Sequence, residues 1–274
     1  MSITLVGDSG FRAAFSSVQM YSDGTPMIKN EKFGEAVFDA DTIVLRPNSL
    51  NEFVAGMFLV DAINDSGGSI DRLVLPYLPG ARQDRINPTG DVLFTALSVA
   101  RMINERNFSR VISVDPHSPE MPSLIKNFVE YPLERVAARV YKGYGGVIAP
   151  DKGAKDRAER FAAVLGTDVT YASKTRDVST GRLTGFGVDV EPGRHYLVVD
   201  DICDGGGTFL GLGEKIKEQG AHADLFVTHG IFSKGTDALK SIYKNIYTTN
   251  TREIHDRNDV SRFNVVREME NYND

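Results

Sequence analysis

The chain has 274 residues, of which 41% are hydrophobic and 25% charged, so it can form one large or two ordinary globular domains. Its net charge of −6 excludes the overall basic surface that binds nucleic acid or anionic membranes, so an anionic ligand would have to meet local basic clusters. A single cysteine, Cys203, excludes an intramolecular disulfide framework and a cysteine-ligated metal cluster. With no signal-peptide pattern at the N-terminus and no apolar run long enough to span a bilayer, the sequence predicts a cytoplasmic protein.

In the first half of the chain, short β-branched runs alternate with helical patterns. Asn48 and Ser49 can cap a helix that ends near the glycines at 67 and 68. The predicted elements here are strands at 3–6, 42–45, 72–75 and 111–114, helices at about 49–64, 91–105 and 133–142, and a turn at 20–26.

A glycine-rich break at 143–146 predicts a domain boundary, with one domain over residues 1–142 and a second over 143–274. The pattern then restarts, with strands at 147–149, 169–172, 196–199, 223–228 and 245–248 and helices ending near 165, starting near 208, and at 237–243. A loop is predicted at 174–185, and the docking of the polar tail after Thr251 is not predictable. Strands that alternate with helices predict an α/β fold with a mainly parallel sheet in each domain.

The most informative stretch lies between a predicted buried strand and a predicted helix. Its polar and glycine residues are Asp200, Asp201, Asp204, Gly205, Gly206, Gly207 and Thr208. Three consecutive glycines let the backbone N–H groups turn inward, and the helix points its positive dipole end at the same place, which favours a phosphate. Carboxylates beside a phosphate indicate sugar hydroxyls or a magnesium ion. A glycine-rich turn in a parallel sheet explains the same spacing equally well.

Other polar clusters also follow predicted strands: Arg82-Gln83-Asp84-Arg85, Asp115-Pro116-His117, Asp151 and Lys174-Thr175-Arg176. Ligands of parallel α/β sheets bind at the carboxyl ends of strands, so this distribution predicts an active site. Arginine pairs match phosphate oxygens, and Lys174 and Arg176 would face the same side of an extended loop, where they could neutralise a transferring phosphoryl group. Taken alone, each basic cluster is better explained as a solvated loop, and Asp151 either binds magnesium or caps the following helix.

Taken in order, these motifs resemble those of one family, the ribose-phosphate pyrophosphokinases (PRPP synthetases), over residues 21 to about 251. The motifs are Tyr21-Ser22-Asp23-Gly24, Arg82-Gln83-Asp84-Arg85, Asp115-Pro116-His117, Asp151-Lys152-Gly153, Lys174-Thr175-Arg176, the stretch 200–208, and Thr228-His229-Gly230-Ile231-Phe232. The acidic glycine loop at 200–208 also suits phosphoribosyltransferases. The motifs Arg82-Gln83-Asp84-Arg85 and Lys174-Thr175-Arg176 are more specific to the diphosphokinases.

The resemblance implies two tandem phosphoribosyltransferase-like domains with the active site at their junction. It implies that ATP binds Arg82, Gln83 and His117, with adenine against Tyr21 and Asp23 of a neighbouring subunit, so that the protein is a homo-oligomer. Magnesium would be held near His117 and Asp151, and catalysis would depend on Lys174 and Arg176. The ribose phosphate would occupy the loop formed by Asp200, Asp201, Asp204, Gly205, Gly206, Gly207 and Thr208.

The activity that the resemblance implies is Mg-dependent transfer of the β,γ-diphosphoryl group of ATP to the anomeric hydroxyl of ribose 5-phosphate, which yields PRPP for nucleotide biosynthesis and AMP. Three departures from the family pattern stand out. Thr25 replaces a glutamate near the adenine, the loop after Arg85 lacks the basic residues that sense phosphate and ADP, and Gly205 replaces a threonine.

The glycine at 205 removes a hydroxyl donor and opens space beyond the phosphate. This favours an alternative with the same chemistry, in which ADP-ribose is the acceptor and ADP-ribose pyrophosphate is made for NAD salvage. Two further alternatives are a phosphoribosyltransferase that consumes PRPP, which the doubled domain argues against, and a non-catalytic partner subunit, which the presence of Lys174 and Arg176 argues against.

Overall fold

The computed structural model describes residues 2–7, 12–15, 19–27, 35–84, 86, 94–140, 143–176, 183–253 and 259–272. The chain divides into two compact units, the first comprising Met1–Tyr131, Thr251–Glu253 and Val266–Asp274 and the second Pro132–Asn250 and Ile254–Val265. No helix in the described part of the chain is long and apolar enough to cross a membrane.

The first unit contains a six-stranded sheet. Its strands are β1 (Ser2–Val6), β2 (Arg12–Phe15), β5 (Thr42–Arg46), β6 (Arg72–Val74), β7 (Arg110–Val114) and β8 (Phe128–Tyr131), in the order β2-β1-β5-β6-β7-β8. Strand β1 is antiparallel to both of its neighbours, and β5 to β8 are parallel. A small hairpin, β3 (Gln19–Met20) and β4 (Pro26–Met27), lies in the predicted turn.

The helices of the first unit are α1 (Leu50–Asp65), α2 (Thr95–Asn104) and α3 (Glu120–Leu124), with α8 (Val266–Glu270) from the tail and a 3-10 helix at Glu35–Asp39. The predicted cap of α1 is confirmed, because Ser49 Oγ accepts from the N–H of Glu52 at 3.2 Å. The Glu52 carboxylate in turn accepts from the N–H of Asn48 at 2.6 Å. Phe53, Met57 and other apolar residues of α1 are buried against the sheet in the core of this unit.

The second unit contains a sheet of six parallel strands, as the alternation of strands and helices predicts. They are β9 (Gly146–Ala149), β10 (Val169–Tyr171), β13 (His195–Cys203), β14 (His222–Gly230), β15 (Ile246–Thr249) and β16 (Ser261–Phe263), in the order β10-β9-β13-β14-β15-β16. The helices of this unit are α4 (Leu133–Ala137), α5 (Lys155–Leu165), α6 (Gly207–Glu218) and α7 (Asp237–Lys240), with a 3-10 helix at Lys152–Ala154.

The ends of the predicted loop at 174–185 form a hairpin, so the prediction of a loop is wrong there. Strand β11 (Ser173–Arg176) pairs with β12 (Leu183–Gly187) in antiparallel orientation. The glycine and threonine content predicted a loop because glycine is depleted in strands. In the structure, β11 and β12 pair through backbone hydrogen bonds, which satisfy the N–H and C=O groups of both segments. The part of the predicted loop at 177–182 lies outside the described residues.

The division into compact units differs from the predicted boundary at residue 143 in two places. Residues from Pro132 onward belong to the second unit, where Glu134 of α4 pairs with Arg160 of α5 at 2.6 Å. The end of the chain returns to the first unit, where Arg72 and Arg110 donate to the carbonyl oxygen of Tyr272 at 3.2 and 3.3 Å.

Candidate functional site

An anion-binding geometry is present at the carboxyl end of β13, where the chain turns into α6. We name residues 204–208 the anion loop. Gly206 has a φ of +77°, a left-handed conformation that glycine adopts without steric cost, and α6 begins directly after it. The first turn of α6 has no side-chain cap and no acidic residue, so its N–H groups, which lack partners within the helix, favour an anion.

The segment that follows β14 holds the anion loop. The N–H groups of Ile231 and Phe232 both donate to the carbonyl oxygen of Cys203, at 2.8 and 3.0 Å, and that of Ser233 donates to the carbonyl oxygen of Asp204 at 3.1 Å. Phe232 has a φ of +47°, which is strained for a bulky side chain. Such strain persists only where surrounding contacts enforce it, and it is concentrated at ligand sites.

An acidic pair stands at the carboxyl half of β13. Asp200 accepts from the guanidinium of Arg157 at 3.2 Å, and the N–H of Asp201 donates to the same carboxylate oxygen of Asp200 at 2.9 Å. Burial raises the pKa of Asp200 well above its ordinary value, and the charge of Asp201 adds to the rise while that of Arg157 opposes it. The Asp151 charge contributes a further, smaller rise, so three carboxylates share this region.

Arg157 is the residue of this cluster that no sequence motif indicated. It lies on α5 beside Ala158 and Phe161, on the buried side of the helix, with only 7% of its side chain exposed. The sequence signal for Arg157 is its place among the apolar, buried positions of α5. A buried arginine needs a charged or hydrogen-bonding partner, so this placement indicates a carboxylate nearby.

The carboxylates fit a magnesium ion, which prefers oxygen ligands. Asp151 also caps the 3-10 helix that follows it, because its Oδ1 accepts from the N–H of Gly153 at 2.9 Å. Within the described ranges, no group of three histidine, cysteine, aspartate or glutamate side chains is close enough to hold a metal by itself. Magnesium commonly uses one or two carboxylates and completes its shell with water and substrate phosphates, and the residues of this unit suit that mode.

Cys203 cannot serve as a nucleophile at this site. It is fully buried at the end of β13, and burial raises the pKa of its thiol to about 12, so the thiolate is not populated near neutral pH.

The hairpin β11–β12 brings the backbone of Lys174 toward α6. The Cα of Lys174 is the register partner of Phe186 in β12, and the partner of Arg176 is Leu183, with a register shift between Thr175 and Arg176. A Cβ on Gly211 of α6 would lie 2.4 Å from Cε2 of Phe186, so the ring packs directly on the helix backbone. The strand that pairs with position 174 is therefore anchored on α6 at Gly211, about one turn beyond the anion loop.

The first unit contains the predicted ATP-binding residues. Arg82 and Gln83 are exposed after β6, and Arg85 lies outside the described residues. Gln83 is joined to the start of α2, because its carbonyl accepts from the N–H of Ala96 at 3.2 Å and its side chain accepts from Thr95.

Asp115 and His117 lie at the end of β7 in the same unit. Asp115 is buried and has a φ of +47°, so this strand also ends in a strained residue, and His117 is exposed.

The motif at the β3–β4 turn presents an aromatic side chain. Tyr21 is 55% exposed, and the N–H of Thr25 donates to Asp23 Oδ1 at 2.9 Å, a bond that lowers the pKa of Asp23. Thr25, which departs from the family pattern, also accepts from the N–H of Tyr21 through its carbonyl at 2.8 Å, so its backbone closes the turn.

Comparison with known proteins identifies the family. A ribose-phosphate pyrophosphokinase of Pyrococcus abyssi is 31% identical over 246 residues, which cover 85% of this chain and 83% of the relative. The chain belongs to the ribose-phosphate pyrophosphokinase family. The Pyrococcus furiosus member is 29% identical over 260 residues, covering 90% of both chains. No family model matches the chain.

The fold is also shared with a solved structure. The phosphoribosylpyrophosphate synthetase of Mycobacterium smegmatis superposes with a TM-score of 0.79 and 22% identity, covering 93% of this chain and 87% of that one. The predicted α/β fold with two phosphoribosyltransferase-like, mainly parallel sheets is therefore confirmed, and the chain is an enzyme of the ribose-phosphate diphosphokinase family.

Proposed function

We propose that the protein transfers the β,γ-diphosphoryl group of ATP to the anomeric hydroxyl of a ribose that carries a phosphate on its 5-position, and releases AMP. The observation that carries the proposal is the anion loop at the start of α6, beside the acidic pair of β13, in a chain that belongs to this family. A 5-phosphate suits the N–H groups of the loop, and the carboxylates suit ribose hydroxyls.

ATP would occupy the first unit in this proposal. The guanidinium of Arg82 and the amide of Gln83 would contact its phosphates, and His117 would lie near the triphosphate. Tyr21 and Asp23 would contact adenine from a neighbouring subunit of a homo-oligomer, which is consistent with the exposure of the Tyr21 ring.

The reaction is an in-line displacement at the β-phosphorus. The anomeric oxygen forms a bond to this phosphorus as the bond to the α,β-bridging oxygen breaks; AMP leaves with that oxygen, and the hydroxyl proton is released to solvent. Lys174 and Arg176 would neutralise the charge of the group in transfer, because positioning and charge neutralisation supply most of the catalysis in phosphoryl transfer. Magnesium, when bound near Asp151 and His117, would neutralise phosphate charge.

Asp200 and Asp201 would orient the ribose. The Asp200–Arg157 ion pair keeps the first carboxylate in place, and the buried Asp201 accepts from the N–H of Ile202 at 2.7 Å. Two fixed carboxylates beside the sugar can hold its hydroxyls so that the anomeric oxygen faces ATP.

Two acceptors fit this chemistry. Ribose 5-phosphate is the acceptor indicated by the names of the relatives, and the product would be PRPP. ADP-ribose is the second candidate, and the observation that favours it is Gly205, where a Cβ would meet no atom closer than 3.6 Å. With no side chain at 205, a 5′ substituent larger than a monophosphate can extend past the loop along the stem of Lys234, which is the nearest neighbour of this position.

The experiment offers the purified protein MgATP with ribose 5-phosphate or with ADP-ribose and measures AMP release. AMP formed with either sugar, in equal amount to the pyrophosphorylated sugar, supports the proposal and names the acceptor. Absence of AMP with both would refute it and favour a phosphoribosyltransferase or a non-catalytic subunit, which incubation with PRPP and nucleobases would separate.

A further inference from the structure

A lysine that belongs to none of the motifs lies against the anion loop. A Cβ on Gly205 would lie 3.6 Å from both Cδ and Cε of Lys234 and 3.9 Å from its Cγ. The aliphatic stem of Lys234 therefore lies beside the position that a side chain at 205 would occupy. Its ammonium, one bond beyond Cε, lies at the same edge of the loop.

The backbone on both sides of Lys234 is fixed. The N–H of Ser233 donates to the carbonyl of Asp204 at 3.1 Å, and the N–H of Gly235 donates to the carbonyl of Phe232 at 2.9 Å. Gly235 has a φ of +82°, a conformation that glycine tolerates. The lysine is thus carried on a tight turn that is hydrogen-bonded to the anion loop itself.

The cation of Lys234 is exposed at the rim of the site. In the part of the chain that the structure describes, no carboxylate lies within ion-pairing distance of it. Lys240, the last residue of α7, by contrast pairs with Asp259 at 2.8 Å. A solvated ammonium beside a phosphate site is suited to an anionic group of the ligand.

We propose that Lys234 is a specificity-determining residue that contacts the second phosphate of a 5′-diphosphate ester, so that the preferred acceptor is ADP-ribose or a similar ribose diphosphate ester. This inference rests on the proposed function. The N–H groups at the start of α6 hold the phosphate attached to C5, and the next phosphate extends to the rim, where the ammonium meets it. Gly205 contributes because it has no side chain, so that the stem of Lys234 can lie against the loop and its ammonium stays at the rim, where the second phosphate emerges.

The test compares Lys234→Met, which keeps the stem and removes the charge, with Lys234→Arg, which keeps the charge. Lys217→Met is the matched control, because Lys217 is an exposed lysine in the last turn of α6, at the opposite end of that helix from the anion loop. Each protein is assayed for AMP release with ADP-ribose and with ribose 5-phosphate, and the binding of each sugar without ATP is measured by calorimetry.

With ADP-ribose, Lys234→Met should raise KM and the calorimetric Kd about tenfold to hundredfold with little change in kcat, because a charge-assisted hydrogen bond to the ligand is lost. With ribose 5-phosphate the change should stay below about threefold, because only the backbone site is used. Lys234→Arg should retain most of the wild-type affinity for ADP-ribose, because it keeps the charge. Lys217→Met should behave as wild type with both sugars.

Equal losses with both sugars would overturn the proposal, because the lysine would then contact the first phosphate. Unchanged affinity for ADP-ribose in Lys234→Met would also overturn it. These failures are distinct from failure of the proposed function, which would appear as absence of AMP from the wild-type enzyme with either sugar.

Discussion

Replacement of Gly211 by alanine tests how the β11–β12 hairpin is positioned on α6. The new Cβ would lie 2.4 Å from Cε2 and 2.8 Å from Cδ2 of Phe186. Carbon atoms in contact are about 3.5–4.0 Å apart, so the ring and the strand that carries it must move by about 1 Å. The register partner of Phe186 is Lys174, so the displacement reaches the proposed catalytic position.

Two opposing contributions determine how much Gly211→Ala changes the free energy of unfolding. Alanine in a helix interior is about 1 kcal/mol more favourable than glycine, whereas an overpacked contact costs about 1–3 kcal/mol. The free energy of unfolding should therefore fall by at most about 2 kcal/mol, a decrease in Tm of a few degrees. Catalysis should suffer more, because a displacement of about 1 Å at a reacting group can lower kcat about a hundredfold.

The assay is AMP release under saturating substrates, together with the Tm from thermal unfolding. Glu214→Ala is the control, because Glu214 is exposed on the same helix. The double variant Gly211→Ala/Phe186→Leu removes the ring and should recover much of kcat. Wild-type kcat in Gly211→Ala, or failure of the double variant to recover any activity while its Tm recovers, would refute the proposed positioning.

Three further perturbations have expected outcomes. Lys174→Ala should lower kcat by about 10³-fold and leave the Kd for MgATP nearly unchanged, as judged by single-turnover and calorimetric measurements; weakened ATP binding with normal turnover would contradict its role. Tyr144→Phe removes the 2.7 Å hydrogen bond to the buried Asp224 and should lower the free energy of unfolding of the second unit by about 1–2 kcal/mol, with unchanged KM values. Hydrogen bonding to Lys240 lowers the pKa of Asp259 to about 2, so its stabilisation is complete above the unfolded pKa near 4 and is lost as pH falls through 2. Asp259→Asn should therefore lower Tm slightly at pH 7 and match wild type near pH 2, and an equal difference at both pH values would count against this linkage.

Most of the parallel strands were predictable because they contain short runs of β-branched and other apolar residues. Strands β8 (Phe128–Tyr131) and β16 (Ser261–Phe263) were not predicted, because neither contains such a run. Strand β13 extends to Cys203, beyond the predicted 196–199, because the chain after Val199 continues its pairing with β14, with Asp200 opposite Val227 and Ile202 opposite His229. The return of the tail to the first unit was not predictable, because it depends on contacts such as those of Tyr272 with Arg72 and Arg110, which are distant in sequence.

The candidate site was predictable where a local motif carries the chemistry. The anion loop depends on consecutive glycines before a helix, and that pattern is visible in the sequence. Arg157, Phe186 and Lys234 were not recognised, because each acts on the loop or the acidic pair through a contact between elements that only the folded chain brings together.

The most direct test of the central claim follows the two terminal phosphates of ATP separately. ATP labelled at the β-phosphorus and ATP labelled at the γ-phosphorus are each turned over with the active acceptor, and the products are separated. Diphosphoryl transfer predicts that both labels appear in the sugar product and that the nucleotide product is unlabelled AMP. Transfer of the γ-label alone, with β-labelled ADP as the nucleotide product, would contradict it.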